Sequence, residues 1–553
     1  INIMSQAEGD RGRSPTKDPL HGRSMTGAQS PGQTVPDFML MPSLAIRERM
    51  KRTFRLMVLA IVLSTPLWPR VLLYAVGVGL VLLAVYMLRW WNLVEFEVRE
   101  SQKNNLYENA PAAGVYQKRL NTEQLMDSLV RRVSDVKLSG RRPVRVCLLK
   151  ANSGGGHLAA LNALKEVLSA CNFDWELIDV DLPAALETNE NNTLYTTFNV
   201  TGEEIYNWCL ATNNFWSSTV ARILSTLSNI SIFMCHACPM GKFVGVDIAK
   251  NFWLETKPDL VVSVITMVNG IAGRGLHAAG MGHVPVAVLV TDFEESFVHP
   301  WMQDVTHYII AGTKRIQEQC KAKNYPPNNV FPVSGMVMRP SFYNNKLVGD
   351  RQEELRTLGL DPTRRTCLLF YGGYASRKLP TLARMCQQQP VPLNYIFICG
   401  KNSELKQELD TLDFGDSAVH VVGYTRNVPH YMWISDFCVC KPGPAVITEA
   451  AWFGLPLLIE HNMATLAQEK CVATWSVEMK LAMLWRRESQ LPQLVTQLLT
   501  AMGPVPDHQF RRIGHHLEPN YAIFQIPDIL SEIVKRSQRE AAQRERRERE
   551  KIG

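Results

Sequence analysis

Beyond residue 143, short runs of apolar residues alternate with helical patterns. Continuous apolar strands separated by helices predict parallel β-sheets that are covered on both faces. A break near Arg339-Pro340 separates two series of runs, so we expect an α/β protein with two doubly wound, Rossmann-like domains facing a cleft. The first series is Val144 to Leu149, Leu177 to Val180, Leu260 to Ile265 and Val286 to Val290, and the second is Cys367 to Tyr371, Tyr395 to Cys399, Val419 to Val422, Phe437 to Cys440 and Pro456 to Ile459.

A longer apolar stretch lies nearer the N-terminus, from Phe54 to Leu88. The residues from Pro66 to Arg70 divide it into a short piece and the piece Val71 to Leu88, whose 18 uncharged residues are just enough to cross a bilayer. We expect a membrane-anchoring segment, formed either by one span or by a hairpin that turns at Pro66 to Arg70. A buried helical hairpin of a soluble core is the alternative.

The charges beside this stretch predict its orientation. Five basic residues lie just before it or at its start (Arg47, Arg49, Lys51, Arg52 and Arg55), and Arg89 alone follows it before the first acidic residue, Glu95. Because basic residues favour the cytosolic side, the N-terminus is expected in the cytosol. A single span would then place the following domains in a lumen, whereas a hairpin would return them to the cytosol. The tryptophans Trp68, Trp90 and Trp91 are expected at the membrane interface.

These patterns divide the 553 residues into six predicted parts. They are a flexible or targeting extension (1–53), a membrane-anchoring segment (54–91), a connector (92–142), an N-terminal Rossmann-like domain (143–338), a C-terminal Rossmann-like domain (339–505) and a C-terminal helix with a charged tail (506–553).

Composition and charge narrow the class of protein. With 46% hydrophobic and 20% charged residues, the chain is not a collagen, a coiled coil, a disulfide-rich miniprotein or a wholly disordered protein. The net charge of +7 resides in the ends, since residues 1–55 carry +4 and residues 532–553 carry +3. A basic end beside an apolar segment indicates a lipid surface, and the body lacks any nucleic-acid-binding signature, so we expect no nucleic-acid partner.

The 12 cysteines indicate a reducing compartment. They are scattered, and many lie in apolar runs where a thiol acts as a small hydrophobic group. Cys235-His236-Ala237-Cys238 has the spacing of a zinc ligand pair, but no second pair stands at a suitable distance. We therefore predict no metal site.

A glycine-rich turn follows the first predicted strand. It contains Gly154, Gly155 and Gly156, then His157, and a helical pattern begins at once. This arrangement lets a ligand approach bare backbone amides and the positive end of a helix dipole. The dipole favours a neutral, proton-accepting His157 that faces the cleft. The turn is neither a Walker loop nor a spaced dinucleotide fingerprint, and a helix-capping histidine is the structural alternative.

A second turn follows the run Phe437 to Cys440. It consists of Lys441-Pro442-Gly443-Pro444, and the helix that it opens carries Glu449 in its second turn. Backbone amides can hold a diphosphate at such a turn, and the carboxylate can accept both hydroxyls of a ribose. A solvated helix glutamate is the alternative, which the specificity of the turn disfavours.

Six segments in this order form a specific pattern: Ser153 to His157, Val290 to Asp292, Gly335 to Phe342, Phe397 to Asn402, Lys441 to Pro456 and Ala467 to Glu469. In these segments the chain resembles the UDP-sugar-dependent lipid glycosyltransferases, a family that includes monogalactosyldiacylglycerol synthases, bacterial diacylglycerol glucosyltransferases and, more distantly, the peptidoglycan enzyme MurG. The resemblance implies a GT-B fold, a UDP-sugar donor on the C-terminal domain and a lipid acceptor approached from the N-terminal domain. It also implies inversion at the anomeric carbon without a required metal or other cofactor.

The resemblance further implies roles for individual residues. His157 and Asp292 are the acid-base candidates, and the sequence leaves open which of them removes the proton of the acceptor hydroxyl. Gly154, Gly155 and Gly156 would lie on the acceptor side. The implied donor contacts are Glu449 for the ribose, Lys441, Gly443 and Pro444 at the diphosphate turn, Gln468 and Glu469 for sugar hydroxyls, Gly423 and Tyr424 for uracil, and Gly372 and Gly373 in the phosphate loop of the second domain.

The chain departs from the family at several of these places. Ala445 and Val446 replace a glycine and a threonine after the Gly-Pro turn, and Ala467 replaces the glycine before Gln468. The histidine and tryptophan expected after Asp292 align only with a shift, which brings in Trp301. The departures indicate an altered donor or acceptor, or reduced activity, more than loss of the fold.

We therefore expect a membrane-associated glycosyltransferase that faces the cytosol and moves a hexose from a UDP-hexose to a lipid, most plausibly diacylglycerol. The alternative is a degenerate GT-B protein that binds nucleotide or lipid as a scaffold or regulator without turnover. An oxidoreductase is disfavoured because the spaced dinucleotide fingerprint is missing. The sequence leaves open whether the hexose is galactose or glucose, whether the organelle is an endomembrane or a plastid envelope, and the oligomeric state.

Overall fold

Two parallel β-sheets of six strands each form the body of the protein. The computed structural model describes residues 88–103, 124–128, 142–151, 155–171, 173–189, 199–212, 244–294, 300–343, 350–373, 375–503 and 517–552, with the single positions 196, 216, 219 and 220. Most strands are buried along their whole length, because their side chains are apolar on both faces.

The N-terminal sheet has the strand order β2-β1-β3-β4-β5-β6, and all its neighbouring strands run parallel. Its central strands are continuous apolar runs such as Val-Arg-Val-Cys-Leu-Leu in β1. The strands are β1 (Val144–Leu149), β2 (Trp175–Val180), β3 (Leu260–Ser263), β4 (Val286–Leu289), β5 (Tyr308–Ala311) and β6 (Val330–Pro332).

The C-terminal sheet has the strand order β12-β11-β10-β7-β8-β9 and is also parallel throughout. The strands are β7 (Thr366–Phe370), β8 (Asn394–Ile398), β9 (Ala418–Val422), β10 (Phe437–Cys440), β11 (Leu457–Glu460) and β12 (Ala482–Trp485). Two parallel α/β sheets of this kind give the chain a GT-B-like α/β fold.

Helices connect the parallel strands and cover the sheets. The helix α1 spans residues 88–101. The others are α2 (Gly156–Ala170), α3 (Leu182–Glu187), α4 (Gly202–Thr212), α5 (Val244–Thr256), α6 (Asn269–Ala278), α7 (Lys314–Ala322), α8 (Arg351–Thr357), α9 (Leu379–Cys386), α10 (Ser403–Asp410), α11 (Val428–Ile434), α12 (Pro444–Phe453), α13 (Ala467–Glu478), α14 (Leu491–Met502) and α15 (Ala522–Ile552). The last helix returns from the C-terminal domain to pack beside α2 of the N-terminal domain.

Helix α1 docks on the outer edge of the C-terminal sheet. The backbone amide of Leu484, in edge strand β12, donates to the hydroxyl of Ser101 at 2.9 Å. Fully buried His461, which follows β11, places its Nε2 2.7 Å from Oε2 of Glu97. These contacts cover a strand edge that would otherwise present unpaired backbone groups.

Residues 54–87, most of the predicted membrane-anchoring segment, lie outside the described residues, so the structure does not support that segment. Its last residues begin α1, where the rings of Trp90 and Trp91 lie 4.3 Å from Lys470 Nζ and 3.1 Å from the Arg486 guanidinium. Both rings thus contact the C-terminal domain, which the sequence did not predict. Among the described residues, no helix has the length and apolar content needed to cross a membrane.

All nine predicted strands are present, with ends that differ by at most two residues. Three further strands, β5, β6 and β12, were not predicted. Strand β6 has only three residues and ends in a proline, so its apolar run is too short to stand out. Strands β5 and β12 have four residues, as the predicted strand β10 does, so their length does not explain why they were missed.

Candidate functional site

Each sheet has a point where the strand order reverses. In the N-terminal sheet this point lies between β1 and β3, because the chain places β2 on one side of β1 and β3 on the other. In the C-terminal sheet it lies between β7 and β10, because β8 and β9 extend from one side of β7 and β10 lies on the other. Ligands of open parallel sheets bind outside the carboxyl ends of the strands at such points. The predicted residues His157, Gly372, Gly373 and Lys441 follow the carboxyl ends of β1, β7 and β10, and therefore lie at these two points.

The predicted glycine turn leads into helix α2. Gly155 has φ of +62°, a left-handed backbone conformation that favours glycine, and Gly156 is the first helical residue. His157 therefore lies in the first turn of α2. The N-cap residue of this helix is Gly155, and no side chain forms a capping hydrogen bond there. Gly154 lies outside the described residues.

The two acid-base candidates meet around one tryptophan. Asp292 Oδ2 accepts a hydrogen bond of 3.1 Å from Nε1 of Trp301. The ring of Trp301 is fully buried and lies 5.8 Å from the His157 ring, centroid to centroid. The indole thus orients the Asp292 carboxylate and packs beside the imidazole. Trp301 is the tryptophan that the sequence aligned only with a shift.

A threonine fixes the other side of the imidazole. His157 Nδ1 lies 2.9 Å from the hydroxyl oxygen of Thr291, the residue before Asp292. When Nδ1–H donates to this oxygen, Nε2 carries the lone pair and can accept a proton. This tautomer is the one that general-base catalysis by His157 requires.

On the opposite domain, the predicted diphosphate turn opens helix α12. Gly443 is the N-cap residue and no side chain caps this helix, so the amides of its first turn are oriented towards the turn. Lys441 Nζ lies 3.0 Å from Oε1 of Glu469, and both side chains are largely buried. A cation therefore lies beside a helix N-terminus, a combination that suits a bound anion.

Glu449 is buried in α12 and forms an ion pair. Its Oε1 accepts a hydrogen bond of 3.3 Å from Nη2 of Arg339, in the segment that links the two domains. Burial raises the pKa of the Glu449 carboxyl from 4.5 to about 7, although the Arg339 guanidinium opposes this shift. The sequence predicted Glu449 as a site residue but not its pairing with Arg339, which belongs to the quoted Gly335 to Phe342 segment.

The remaining donor candidates follow the carboxyl ends of β7 and β9. A Cβ at Gly400, after β8, would clash with the carbonyl oxygen of Gly373, so the two loops pack backbone to backbone. Gly423 and Tyr424 follow β9, and the Tyr424 ring is 61% exposed with Lys401 Nζ 5.9 Å from its centroid. These residues share an edge of the sheet with Lys441, but no contact joins Tyr424 to Glu449 in the described structure.

Helix α13 carries Gln468 and Glu469 in its first turn and also forms a contact between the domains. Residues 468, 471, 475 and 478 recur at helical spacing, so they lie on one face. Gln468 Nε2 donates to the Tyr206 hydroxyl at 2.8 Å, Arg315 donates to the Cys471 carbonyl at 3.2 Å and lies 3.2 Å from Glu478, and Trp475 packs against Phe293 with centroids 4.9 Å apart.

Tyr206, Thr291 and Arg339 were not assigned a role from the sequence. Thr291 and Trp301 lie near Asp292 in the chain, so a motif centred on Asp292 points towards them. Tyr206 lies in the segment 183–240, whose role the sequence left open, and only the folded chain brings it to Gln468. Among the described residues, no group of acidic, histidine or cysteine side chains could hold a metal ion.

The two parallel, doubly wound sheets define the class as an α/β protein with a GT-B-like fold. Residues 369–462 match the model of the glycosyltransferase family 28 C-terminal domain. This range contains the donor candidates from Gly372 to Glu449 and ends just before Gln468.

Among curated proteins, the chain is similar to glycosyltransferases that act on diacylglycerol. It is 23% identical to the chloroplastic monogalactosyldiacylglycerol synthase of Spinacia oleracea over 405 residues, which cover 71% of this chain and 73% of that one. It is 24% identical to the processive diacylglycerol beta-glucosyltransferase of Bacillus subtilis over 290 residues, 51% of this chain and 70% of that one. Among solved structures, MurG of Acinetobacter baumannii matches at a TM-score of 0.44 and 15% identity, covering 70% of this chain and 100% of that one.

Proposed function

We propose that this protein transfers a hexose from a UDP-hexose to the hydroxyl of a lipid, diacylglycerol, with inversion at the anomeric carbon. The observation that carries the proposal is that each of the two sheets presents one set of candidate residues near its carboxyl end. His157, Asp292 and Trp301 form the first set, at the end of the N-terminal sheet. The pair Lys441 and Glu469 forms the second, at the end of the C-terminal sheet.

The donor half of the proposal rests on the C-terminal domain. The turn at Gly443 offers helix amides and a neighbouring lysine to a diphosphate, and Glu449 would accept hydrogen bonds from the ribose. The match of residues 369–462 to a glycosyltransferase domain supports this assignment. Gln468 and Glu469 would hold the hydroxyls of the hexose, and Gly423 and Tyr424 the uracil.

The chemical step needs a base on the acceptor side and stabilisation of the leaving group on the donor side. His157 or Asp292 takes the proton of the acceptor hydroxyl as its oxygen bonds to the anomeric carbon. The bond from that carbon to the β-phosphate oxygen breaks, and UDP leaves with the electron pair. The amides of α12 and Lys441 meet the charge that develops on the diphosphate, so the proposal requires no resident metal.

The lipid acceptor and the membrane belong to the same proposal. The curated relatives are named for the synthesis of monogalactosyldiacylglycerol and for the glucosylation of diacylglycerol. In this chain a basic N-terminal region precedes the apolar residues 54–87. The ten cysteines among the described residues form no disulfide, and all but Cys386 are buried, where a thiol serves as a small hydrophobic group. We accordingly infer a membrane-bound protein whose catalytic domains face the cytosol.

Incubation of the purified full chain with radiolabelled UDP-galactose or UDP-glucose and diacylglycerol in mixed micelles tests the proposal. We expect a labelled glycolipid from one of the donors. A chain that binds UDP but forms no labelled lipid with either donor would contradict the proposed transfer and favour a scaffold.

A further inference from the structure

Tyr206 joins the N-terminal domain to the sugar-binding candidates of the other domain. Its hydroxyl oxygen accepts a hydrogen bond of 2.8 Å from Nε2 of Gln468. The next residue, Glu469, is held by Lys441 at 3.0 Å. Gln468 and Glu469, the candidates for binding the hexose hydroxyls, are therefore oriented by different partners. The partner of Gln468 belongs to the N-terminal domain.

Tyr206 is also within electrostatic range of Asp292, one of the two acid-base candidates. Burial raises the pKa of its hydroxyl well above the usual value, and the negative charges of Glu469 and Asp292 raise it further. The hydroxyl thus stays protonated at neutral pH. Since its oxygen accepts from Gln468, its proton can be donated to another acceptor in the cleft.

The helix that presents Tyr206 has its own local support. Thr201 and Glu204 form a reciprocal capping box at the start of α4, with bonds of 3.1 and 2.8 Å. Val200, Ile205 and Cys209 form a small buried cluster separate from the main core. The backbone amide of Glu203 also donates to Glu187 of α3 at 3.2 Å, and the bond to Gln468 ties α4 to the donor domain.

We propose that Tyr206 is a positioning residue that orients the Gln468 amide towards the hydroxyls of the donor hexose, so that α4 of the N-terminal domain completes the sugar subsite. This inference rests on the proposed function, because it takes Gln468 as a contact of the sugar. It assigns a role to part of the segment 183–240. It also explains how one domain can influence which sugar the other domain accepts.

The experiment compares the dissociation constants of UDP, UDP-galactose and UDP-glucose by calorimetry. Tyr206→Phe keeps the ring and removes only the hydroxyl. We expect it to weaken binding of the accepted UDP-hexose by roughly 3- to 10-fold, the usual value of one hydrogen bond, and to leave UDP binding within about twofold. Tyr308→Phe, in β5 of the same domain, is the matched control and should change neither.

A double-mutant cycle separates positioning from general support. If Tyr206 acts through Gln468, the double variant Tyr206→Phe/Gln468→Ala should bind the UDP-hexose no more weakly than Gln468→Ala alone. Additive losses, or an equal loss for UDP and UDP-hexose in Tyr206→Phe, would overturn the inference. Transfer does not enter this measurement, so a chain that shows these binding effects without turnover would contradict only the proposed function.

Discussion

Replacement of Glu449 by glutamine tests the ribose assignment at a defined atom. The carboxylate is 6% exposed and is paired with Arg339 at 3.3 Å, so the substitution keeps the shape and one acceptor oxygen while it removes the charge. In the proposed complex it removes one charge-assisted hydrogen bond to a ribose hydroxyl, which contributes about 1.5–3 kcal/mol. We therefore expect the dissociation constant of UDP to rise roughly 10- to 150-fold.

The same substitution has a signature in the pH dependence of stability. The folded-state pKa of Glu449 is raised from 4.5 to about 7, so its contribution to the free energy of unfolding is fully present below pH 4.5 and is lost as the pH rises to 7. This loss of unfolding free energy is up to about 3 kcal/mol. The Glu449→Gln variant should not show it, because glutamine does not titrate. Denaturant unfolding at several pH values should therefore show the wild-type chain losing stability relative to the variant across this window.

Calorimetric titration with UDP at pH 7.5 measures the first effect. Asp436→Asn is a suitable control, because Asp436 is also buried and paired, with Arg365 at 3.0 Å, but precedes β10 at the opposite edge of the sheet. The control should lower stability and leave UDP affinity unchanged. A folded Glu449→Gln variant that binds UDP within twofold of the wild type would refute the ribose assignment.

Three further variants test the acid-base pair and the docking of α1. His157→Ala should lower turnover by roughly 100-fold or more with little change in UDP affinity, since the imidazole lies in the other domain; nearly full activity would leave it only a structural role. Trp301→Phe keeps an aromatic ring but loses the indole N–H and its bond of 3.1 Å to Asp292, so turnover of the folded variant should fall by about tenfold. The fully buried side chain also loses volume, so the thermal midpoint should fall as well, and unaltered turnover would contradict the orienting role. Glu97→Ala leaves buried His461 without this partner and should lower the free energy of unfolding by about 1–3 kcal/mol in urea titrations, and an unchanged midpoint would show that the contact is dispensable.

The sequence predicts well those features that local patterns encode. Strand β1, the glycine turn and the helix that begins at Gly156 are consecutive, so hydrophobic periodicity and glycine placement are enough to predict them. The parallel arrangement of both sheets was predicted, but the order of their strands was not. The helical start of α12 after Gly443 is predicted for the same reason.

Contacts between distant segments could not be predicted in this way. Tyr206 and Gln468 are 262 positions apart, and nothing in the neighbourhood of either residue specifies the other. Glu97 in α1 is another example. It lies in the segment predicted to be a connector, and its partner His461 is 364 positions away in the chain. Side-chain partners across a cleft depend on how the domains pack, which periodicity does not encode.

Acceptor-dependent release of UDP tests the central claim most directly. The purified chain is supplied with the UDP-hexose that it binds, in micelles with and without diacylglycerol, and released UDP is measured together with the glycolipid formed. The account predicts that diacylglycerol accelerates the release and that one glycolipid forms for each UDP. Tight binding of the nucleotide with a release rate that diacylglycerol leaves unchanged would contradict it.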